Sequence, residues 1–397
     1  MKNTKKTLIL KPGRDRSVLA RHPWVFSGAV DRVEGNPASG ESVLVRDASG
    51  LALGWAAYSP TSSIRARMWN LNPDEIVDGG FFEGRIQQAI TRRLALVPVG
   101  ETDSLRLVHA ESDGLPGLVV DRYADTLVVQ ILTTGAEFWR EVIIDALVKL
   151  TGVQTVVERS DVDVRQLEGL APRSGVLSGQ VPGMVEIREN GLRFQVDVLN
   201  GQKTGFYLDQ RRNRQRVSEL AAGREVLNCF CYTGGFSIYA LAHGAKQVVS
   251  VDSSAEALEM GQAHLALNSL PADLAEWVEG DVFKELRTLR DQGRSFDMVI
   301  LDPPKFAPTA AQAERAARGY KDINLLGLKL LRPGGILATF SCSGGISAEL
   351  FQKIVAGAAL DAGIDARIVQ TLTQGPDHPV GLAFPEGAYL KGLIVQV

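Results

Sequence analysis

The spacing of hydrophobic and polar residues changes twice along the chain. Residues 1–75 alternate short β-prone runs with turn residues and predict a small β-barrel. Residues 76–189 combine a helical repeat between Phe81 and Leu96 with strand-like runs, and predict a central α+β domain. From 190 to 397, strand-like runs alternate with helical segments, the pattern of an α/β domain with a doubly wound parallel sheet.

The predicted strands of this third domain place the candidate ligand-binding residues at one edge of its sheet. After a hairpin at Asn190-Gly191, we predict strands at 225–230, 247–251, 275–279, 297–301, 335–341 and 366–372, with 387–397 as a last strand. Doubly wound sheets bind ligands beyond the carboxyl ends of their strands. The candidate residues at those ends are Asn228 to Gly235, Asp252, Asp281, Asp302 to Phe306, and Ser341 to Ser343.

The first of these strand ends predicts the type of ligand. The run from Val226 to Ser237 breaks at the pair Gly234-Gly235 and resumes as a helix, so backbone can approach a ligand at a helix N-terminus. Asp252 ends the next apolar run and can accept hydrogen bonds from two ribose hydroxyls. The stretch lacks the G-x-G-x-x-G fingerprint that binds a pyrophosphate. A nucleoside cofactor without phosphates fits better.

Length and composition exclude several classes of protein. A chain of 397 residues with 45% hydrophobic residues suggests two or three globular domains. We found neither a run of 18 apolar residues nor a signal-peptide core, so we expect a soluble cytoplasmic protein without a membrane partner. Three cysteines without C-x-x-C spacing indicate thiols in a reducing compartment, and no metal site is expected.

Charge leaves a nucleic-acid partner open. The net charge is −3, but residues 1–21 hold seven Lys or Arg against the single acid Asp15, and residues 211–216 hold four arginines. For an isolated run of charges, a solvated face is the more common explanation, and it applies to either cluster. Arg65 and Arg67 alternate with apolar residues, which places both guanidinium groups on one face of a strand. With Pro12-Gly13 and His22 to Phe26, this segment resembles a PUA domain, an RNA-binding barrel.

The strand ends of residues 190–397 resemble the motif series of class I S-adenosylmethionine-dependent methyltransferases. The resemblance implies a Rossmann-like fold with S-adenosyl-L-methionine as cofactor. The residues that it implies around the methionine part are Asn228, Phe230, Thr233 and Gly234. It further implies that Asp252 binds the ribose and that Asp281 reaches the adenine amino group. The family usually has an acid where this chain has Asn228, although an amide can also contact the cofactor's amino or carboxylate group.

The stretch from Gln202 to Arg212 precedes this domain's first strand. Phe206 and Tyr207 could be core residues, but beside Lys203, Asp209 and Arg211 they could also form a lip over the cofactor cleft. We therefore include Phe206 and Asp209 among the candidate cofactor-binding residues.

Two further motifs point to the reaction. Asp302-Pro-Pro-Lys-Phe306 resembles the D/N-P-P motif that faces the base in nucleic-acid methyltransferases, although Pro-Pro may also simply end a strand. Asp302 would also contact the cofactor. Ser341-Cys342-Ser343 follows the next strand, and its polar, ligand-edge position favours a nucleophile over a buried inert thiol. Cys229 and Cys231, in the cofactor loop, are expected to pack. Lys391, near the last strand, is a further polar candidate.

The cysteine motif resembles the nucleophile motif of RNA cytosine-5 methyltransferases. The order of a PUA-like domain, an α+β domain and a D-P-P-K-F methyltransferase domain resembles the RlmI family, which methylates large-subunit (23S) ribosomal RNA. The resemblance implies a covalent adduct through Cys342, catalytic roles for Asp302 and Lys305, and ribosomal RNA as partner. Many RNA cytosine-5 methyltransferases have a second cysteine after the motif proline, where this chain has Pro304-Lys305. The oligomeric state stays open, with a homodimer among the alternatives.

Three other functions compete with this hypothesis. An RNA guanine methyltransferase on the same fold needs no cysteine, because the ring nitrogen is already nucleophilic; Cys342 argues against it. A catalytically silent RNA-binding or ribosome assembly factor would not need the cofactor loop. A small-molecule methyltransferase would leave the first domain unexplained.

Overall fold

The computed structural model describes residues 6–181, 183–307 and 312–397. The chain packs into two compact units. The first holds the described residues up to Glu189 with Val196–Leu208 and Pro376–Gly387, and the second holds Asn190–Gln195, Asp209–Gly375 and Ala388–Val397. Two segments from the predicted third domain therefore group with the first unit. The division into three domains at 75 and 189 stays a prediction.

The N-terminal strands form a six-stranded sheet around an apolar core. The elements are β1 (Thr7–Leu10), α1 (Arg16–Leu19), β2 (Trp24–Phe26), β3 (Val30–Glu34), β4 (Ser42–Arg46), β5 (Ala52–Tyr58) and β6 (Ile64–Asn70). Their order in the sheet is β2-β6-β5-β4-β1-β3. Only the β1–β4 pair is parallel among the described pairs of this sheet. Leu8, Val43 and Val45 lie in the core because alternate residues of a strand share a face.

A five-stranded sheet and its helices follow in the same unit. The elements are α2 (Gly79–Leu96), β7 (Ser104–His109), β8 (Leu118–Tyr123), β9 (Thr126–Ile131), α3 (Thr134–Phe138), α4 (Arg140–Thr151), β10 (Thr155–Ser160), α5 (Val164–Leu167) and β11 (Arg173–Ser178). Their order is β11-β10-β9-β8-β7. Asp78 caps α2 by accepting the Phe81 N–H at 3.0 Å. The helical segment between β9 and β10 is divided at Trp139 into α3 and α4.

Arg67 is buried, which corrects its assignment as an RNA contact. Its guanidinium lies 2.8 Å from Glu168 and 3.7 Å from Glu111, and its side chain is 8% exposed. Arg65 donates to the carbonyl groups of Ser59 and Pro60. Alternation along β6 was predicted from sequence, but the acids that enclose Arg67 come from distant parts of the chain.

Of the two basic clusters, the first is largely on the surface. Its exposed members are Lys11, Arg14, Arg16 and Arg21, whereas Lys6 pairs with Glu41. Lys2 and Lys5 lie outside the described residues.

The second basic cluster is largely internal. In helix α6 (Arg211–Ser218), Arg211 and Arg214 are buried and Arg212 is half-buried. Arg216 is exposed and pairs with Glu219 at 2.7 Å. Residues 211–216 therefore do not form the basic surface that their composition suggested.

The strands β12 (Val185–Glu189) and β13 (Leu192–Val196) form the two-stranded sheet predicted around Asn190-Gly191. Asn190 and Gly191 both have positive φ, at 50° and 82°, as expected for a turn of this type. The boundary between the two units falls within this segment.

A seven-stranded sheet forms the centre of the second unit. Its elements are β14 (Glu225–Cys229), α7 (Gly235–Ala242), β15 (Gln247–Asp252), α8 (Ala255–Leu267), β16 (Ala275–Glu279), α9 (Val282–Asp291), β17 (Phe296–Leu301), α10 (Ala313–Lys329), β18 (Leu331–Ser341), α11 (Ala348–Ala362), β19 (Arg367–Leu372) and β20 (Lys391–Gln396). The order is β16-β15-β14-β17-β18-β20-β19. Strands β14 to β18 pair in parallel, as predicted, but β20 runs antiparallel to both of its neighbours.

Buried apolar side chains from these strands and from α9, α10 and α11 form one continuous core. The central strands are mostly apolar because helices cover both faces of a sheet of this kind. No helix in the described part of the chain is long and apolar enough to cross a membrane.

We expect Arg93→Ala to destabilise the first unit more than Arg92→Ala does. The guanidinium of Arg93 pairs with Asp113 where both side chains are 1% exposed, and also donates to the Asp377 carbonyl at 3.0 Å. Removing one partner of a buried pair leaves an uncompensated charge and costs about 3–5 kcal/mol. Urea unfolding should measure this loss. Equal free energies of unfolding for Arg93→Ala and for the exposed neighbour variant Arg92→Ala would contradict it.

Candidate active site at the carboxyl edge of the sheet

The parallel strands of the second unit bring the predicted motifs to one edge. Cys229 at the end of β14 lies beside Val251 of β15 and Leu301 of β17. Leu301 in turn lies beside Thr339 of β18. The segments that follow these four strands therefore begin next to one another, although they are far apart in sequence.

The loop after β14 has an unusual backbone. Phe230 and Tyr232 have φ angles of 59° and 48°, in the left-handed region that non-glycine residues seldom adopt. The Cys231 N–H donates to the Val251 carbonyl at 3.1 Å, which holds the loop against β15. Gly234, with φ of 74°, must be glycine, because a Cβ there would lie 2.7 Å from Trp277. Such strain persists where the surroundings enforce it, and it is common at ligand sites.

Asp252 joins this loop to the loop after β15. One carboxylate oxygen accepts the Tyr232 N–H at 2.8 Å, and the other accepts the Ser254 N–H at 3.0 Å. A carboxylate offers about four acceptor positions, so capacity remains for hydroxyl donors. The half-buried side chain is thus fixed in orientation and can still bind a ribose.

Two buried polar atoms beside this loop fit a polar ligand. Asn228 donates to the Ser237 hydroxyl at 2.8 Å, but its Oδ1 is buried without a hydrogen-bond partner among the described residues. The Thr233 hydroxyl oxygen is also buried and has no hydrogen-bond partner among the described residues. Buried polar groups are nearly always paired. An amide oxygen suits an ammonium donor and a hydroxyl suits a carboxylate, the two groups of a methionine moiety.

Asp281 begins α9, where its side chain accepts the Lys284 N–H at 3.1 Å and is exposed. Phe283, two residues later, was missed by sequence reasoning. Its ring centroid lies 6.4 Å from that of Phe230 and 5.9 Å from that of Phe306. These three partly buried rings come from the loops after β14 and β17 and from the first turn of α9, and they offer an apolar wall for a planar base. The sequence signal that could have identified Phe283 is its place in the first helical turn after Asp281, an acid at the ligand edge.

Asp302 follows β17 and is held by a side-chain network. Gln210 donates to its Oδ2 at 2.9 Å, and Asn213 donates to Gln210 Oε1 at 2.6 Å. Asn213 also donates to the Thr373 carbonyl at 3.1 Å. Sequence reasoning missed Gln210, which precedes the arginine run of α6. The network fixes the Asp302 carboxylate, the feature expected of a group that positions a substrate.

The candidates before α6 have different positions. Asp209 is buried and accepts the Tyr389 hydroxyl at 2.6 Å. Phe206 belongs to the first unit, where it is buried and its N–H donates to the Tyr123 hydroxyl at 3.1 Å. Their contact with a cofactor stays a prediction.

The loops after β17 and β18 are tied together. Ala307 donates its N–H to the Ser343 hydroxyl at 3.0 Å, and Gly345 donates its N–H to the Ala307 carbonyl at 3.2 Å. The Tyr320 hydroxyl of α10 lies 2.9 Å from the same Ser343 hydroxyl. Cys342 is partly exposed between two buried serines, in the loop that Ser343 joins to the one that starts at Asp302.

Lys391 lies on the other side of the cysteine loop. It is the first residue of β20 and pairs with Ser341 of β18. Its Nζ donates to the Ser343 carbonyl at 2.7 Å. Burial lowers the pKa of Lys391 to about 8, with Cys342 favouring and Lys305 opposing the charged form. Lys305 itself is exposed in the Asp302 loop.

The other two thiols have different surroundings. Cys229 and Cys231 are 1% and 6% exposed. Burial raises the pKa of both, and the charge of Asp252 raises that of Cys231 further. Neither is suited to act as a thiolate.

Similarity to known proteins identifies the family. Residues 167–384 match the S-adenosylmethionine-dependent methyltransferase family, and residues 8–70 match a PUA-like domain. A protein of Aeromonas salmonicida named ribosomal RNA large subunit methyltransferase I is 53% identical over 390 residues, which are 98% of each chain. This chain belongs to the ribosomal RNA large subunit methyltransferase I family.

Solved structures agree with the fold of this family. A structure from Streptococcus mutans described as a SAM-dependent methyltransferase covers 98% of this chain and 100% of its own, with a TM-score of 0.84 and 22% identity. Another methyltransferase structure, complexed with SAH, gives a TM-score of 0.85 at 22% identity and covers the same shares. The predicted fold class and S-adenosylmethionine as cofactor are confirmed.

We expect Asp252→Ala to weaken S-adenosylmethionine binding at least about tenfold. Hydrogen bonds to a charged acceptor contribute roughly 1.5–3 kcal/mol each, and about 1.4 kcal/mol corresponds to a tenfold change in affinity. Isothermal titration calorimetry measures the change. Asp273→Ala is the matched control, because this exposed acid precedes β16 and so lies at the opposite edge of the sheet. Unchanged affinity in a folded Asp252→Ala variant would remove Asp252 from the site.

Proposed function

We propose that the chain methylates C5 of a cytidine in 23S ribosomal RNA through a covalent adduct with Cys342. The observation that carries this proposal is the position of Cys342, partly exposed at the carboxyl edge in a loop that a hydrogen bond from Ala307 to Ser343 joins to the Asp302 loop. The name of the Aeromonas salmonicida relative supports large-subunit ribosomal RNA as the substrate.

The chemistry of cytosine explains why a thiol is needed. C5 of the neutral ring is too weak a nucleophile to take a methyl group. When the Cys342 thiolate bonds to C6, the electrons of the C5–C6 double bond become available at C5, which can then form a bond to a methyl carbon. Loss of the C5 proton and departure of the thiolate restore the ring.

S-adenosylmethionine supplies the methyl group as an electrophilic sulfonium substituent. Asn228 and Thr233 would hold its methionine part, for which each has an unpartnered buried oxygen among the described residues. Asp252 would hold the ribose. Asp281 and the three phenylalanine rings would surround the adenine.

Asp302 and Lys305 would position the cytosine. In this proposal, the Asp302 carboxylate, oriented by Gln210, accepts a hydrogen bond from the cytosine amino group. Pro303 is buried and fixes the backbone of this loop, which leaves Lys305 exposed to attract RNA phosphate. The group that removes the C5 proton is not a second cysteine of this motif, because Pro304-Lys305 stands there.

The N-terminal barrel would bind the RNA backbone. Its exposed cations Lys11, Arg14, Arg16 and Arg21 replace Arg65 and Arg67 as the candidate contacts. Phe26, which is 51% exposed in the same domain, could stack on a base.

We expect replacement of Lys11, Arg14 and Arg16 by Gln to weaken RNA binding without changing cofactor affinity. Each lost phosphate contact should reduce the slope of log affinity against log salt by about 0.7–0.9. Filter binding over a salt series measures this slope. The control replaces Arg32, Lys149 and Arg318, which are also exposed but are paired with acids. If the two triple variants bind RNA with the same affinity and the same salt dependence, Lys11, Arg14 and Arg16 do not contact the RNA backbone.

We expect Cys342→Ala to abolish methylation while the protein still folds and binds cofactor and RNA. Because a lost nucleophile removes the covalent route, the rate should fall by more than the ~10²–10⁴ typical of a lost proton-transfer group. RNA containing 5-fluorocytidine should form a methylated covalent adduct with the unmodified enzyme, since fluorine at C5 cannot leave as a proton. Electrophoresis and mass spectrometry detect this adduct.

The other cysteines serve as controls for this experiment. Cys229→Ala and Cys231→Ala should retain the adduct, because both thiols are buried. Nucleoside mass spectrometry of ribosomal RNA from strains with and without the gene identifies the methylated base. Near-normal methylation by Cys342→Ala would reject the cytosine mechanism, and methylguanosine as product would establish the guanine alternative.

A further inference from the structure

We propose that Lys391 is a positioning residue whose ammonium group holds Cys342 as a thiolate. The inference deepens the proposed function and rests on it, because a thiolate is the form that adds to C6. It also supplies a role for the reversed strand β20, which the methyltransferase motifs do not include.

The position of Lys391 is fixed by strand pairing and by a hydrogen bond. The register of β18 and β20 places Lys391 opposite Ser341, the residue before Cys342. The Nζ donation to the Ser343 carbonyl, at 2.7 Å, anchors the ammonium to the residue after it. The lysine head group is therefore held against the backbone that flanks the nucleophile, rather than extended into solvent.

The charge balance around the thiol favours the anion. Lys391 from β20 is the cation that interacts with Cys342, and Lys305 from the Asp302 loop is a second cation close enough to act on Lys391. Tyr320 from α10 faces the same loop, and burial raises its pKa, which keeps this hydroxyl neutral at physiological pH. Asp302 is the opposing acid, and its carboxylate accepts a hydrogen bond from Gln210. In a half-buried site, a fixed ammonium stabilises a neighbouring thiolate more than it would in water.

The protonation states are consistent with this role. Burial lowers the pKa of Lys391 to about 8, so most of the molecules carry the ammonium below that pH. The Cys342 proton leaves to water, and the lysine keeps its own proton while the thiolate bonds to C6. Elimination returns the thiolate to the same ion pair. Lys391 thus changes the population of the reactive form without exchanging atoms with the substrate.

The rate of alkylation of Cys342 by iodoacetamide tests the pairing in the full chain. Peptide mass spectrometry follows this one thiol across a pH series. We expect Lys391→Met to react about tenfold more slowly near neutral pH, the effect of a rise of about one pKa unit in the thiol. At a pH high enough to deprotonate the Cys342 thiol fully in both proteins, the unmodified protein and Lys391→Met should be alkylated at the same rate. Lys391→Arg, which keeps the charge, should restore much of the rate.

Two further variants separate charge from structure. Lys391→Gln can still donate to the Ser343 carbonyl but carries no charge, so it should be as slow as Lys391→Met; it also serves if the methionine variant does not fold. Lys353→Met is the matched control, because Lys353 is exposed on α11 and pairs with Glu349. Equal pH profiles for Lys391→Gln and the unmodified protein would overturn the proposal.

The same samples distinguish this inference from the proposed function. If Lys391→Gln slows alkylation but the unmodified enzyme forms no fluorocytidine adduct, the ion pair stands and the cytosine mechanism fails. If the adduct forms and Lys391→Gln leaves alkylation unchanged, the cytosine mechanism stands and the role of Lys391 fails.

Discussion

Two hydrogen bonds between neighbouring loops determine the geometry of the candidate site. The Ala307 N–H binds the Ser343 hydroxyl, and the Ala307 carbonyl accepts the Gly345 N–H. They join the loop that starts at Asp302 to the loop that carries Cys342. Without them, parallel strands would only bring the two loops to the same edge. With them, Ala307 is fixed against both Ser343 and Gly345, so the loop that starts at Asp302 and the loop that carries Cys342 keep a defined relative position.

The cofactor side of the edge is built by a different constraint. Phe230 and Tyr232 adopt positive φ angles that cost free energy, and Asp252 helps to hold them by accepting the Tyr232 N–H. The same carboxylate is the candidate ribose acceptor. Its orientation is therefore fixed by the protein before a ligand arrives, so less ordering is required on binding. This coupling explains why an acid at the end of β15 accompanies a strained loop after β14.

Sequence patterns predicted the elements that depend on local order. Alternation of strands and helices gave the sheet, the glycine pair gave the start of α7, and strand-end positions gave Asp252, Asp302 and Cys342 as candidates. Contacts between distant segments could not be predicted in this way. Arg67 was counted among the candidate RNA contacts because its burial could not be foreseen. The two acids that pair with it follow it by 44 and 101 residues in the sequence. The contacts of Gln210 with Asp302 and of Phe283 with Phe230 and Phe306 join segments that are far apart in sequence, so they became visible only in the structure.

The reversed direction of β20 could not be predicted from periodicity, and it is the feature that brings Lys391 to the ligand edge. A parallel strand presents its carboxyl end at the ligand edge, whereas an antiparallel strand presents its first residue there. Because β20 runs against β18, the lysine that begins it lies beside the serines that flank Cys342. Periodicity in the last eleven residues predicts a strand but not its direction. A parallel arrangement would have placed Lys391 at the opposite edge, far from Cys342, so the role proposed for this lysine depends on the direction of a strand outside the methyltransferase motifs.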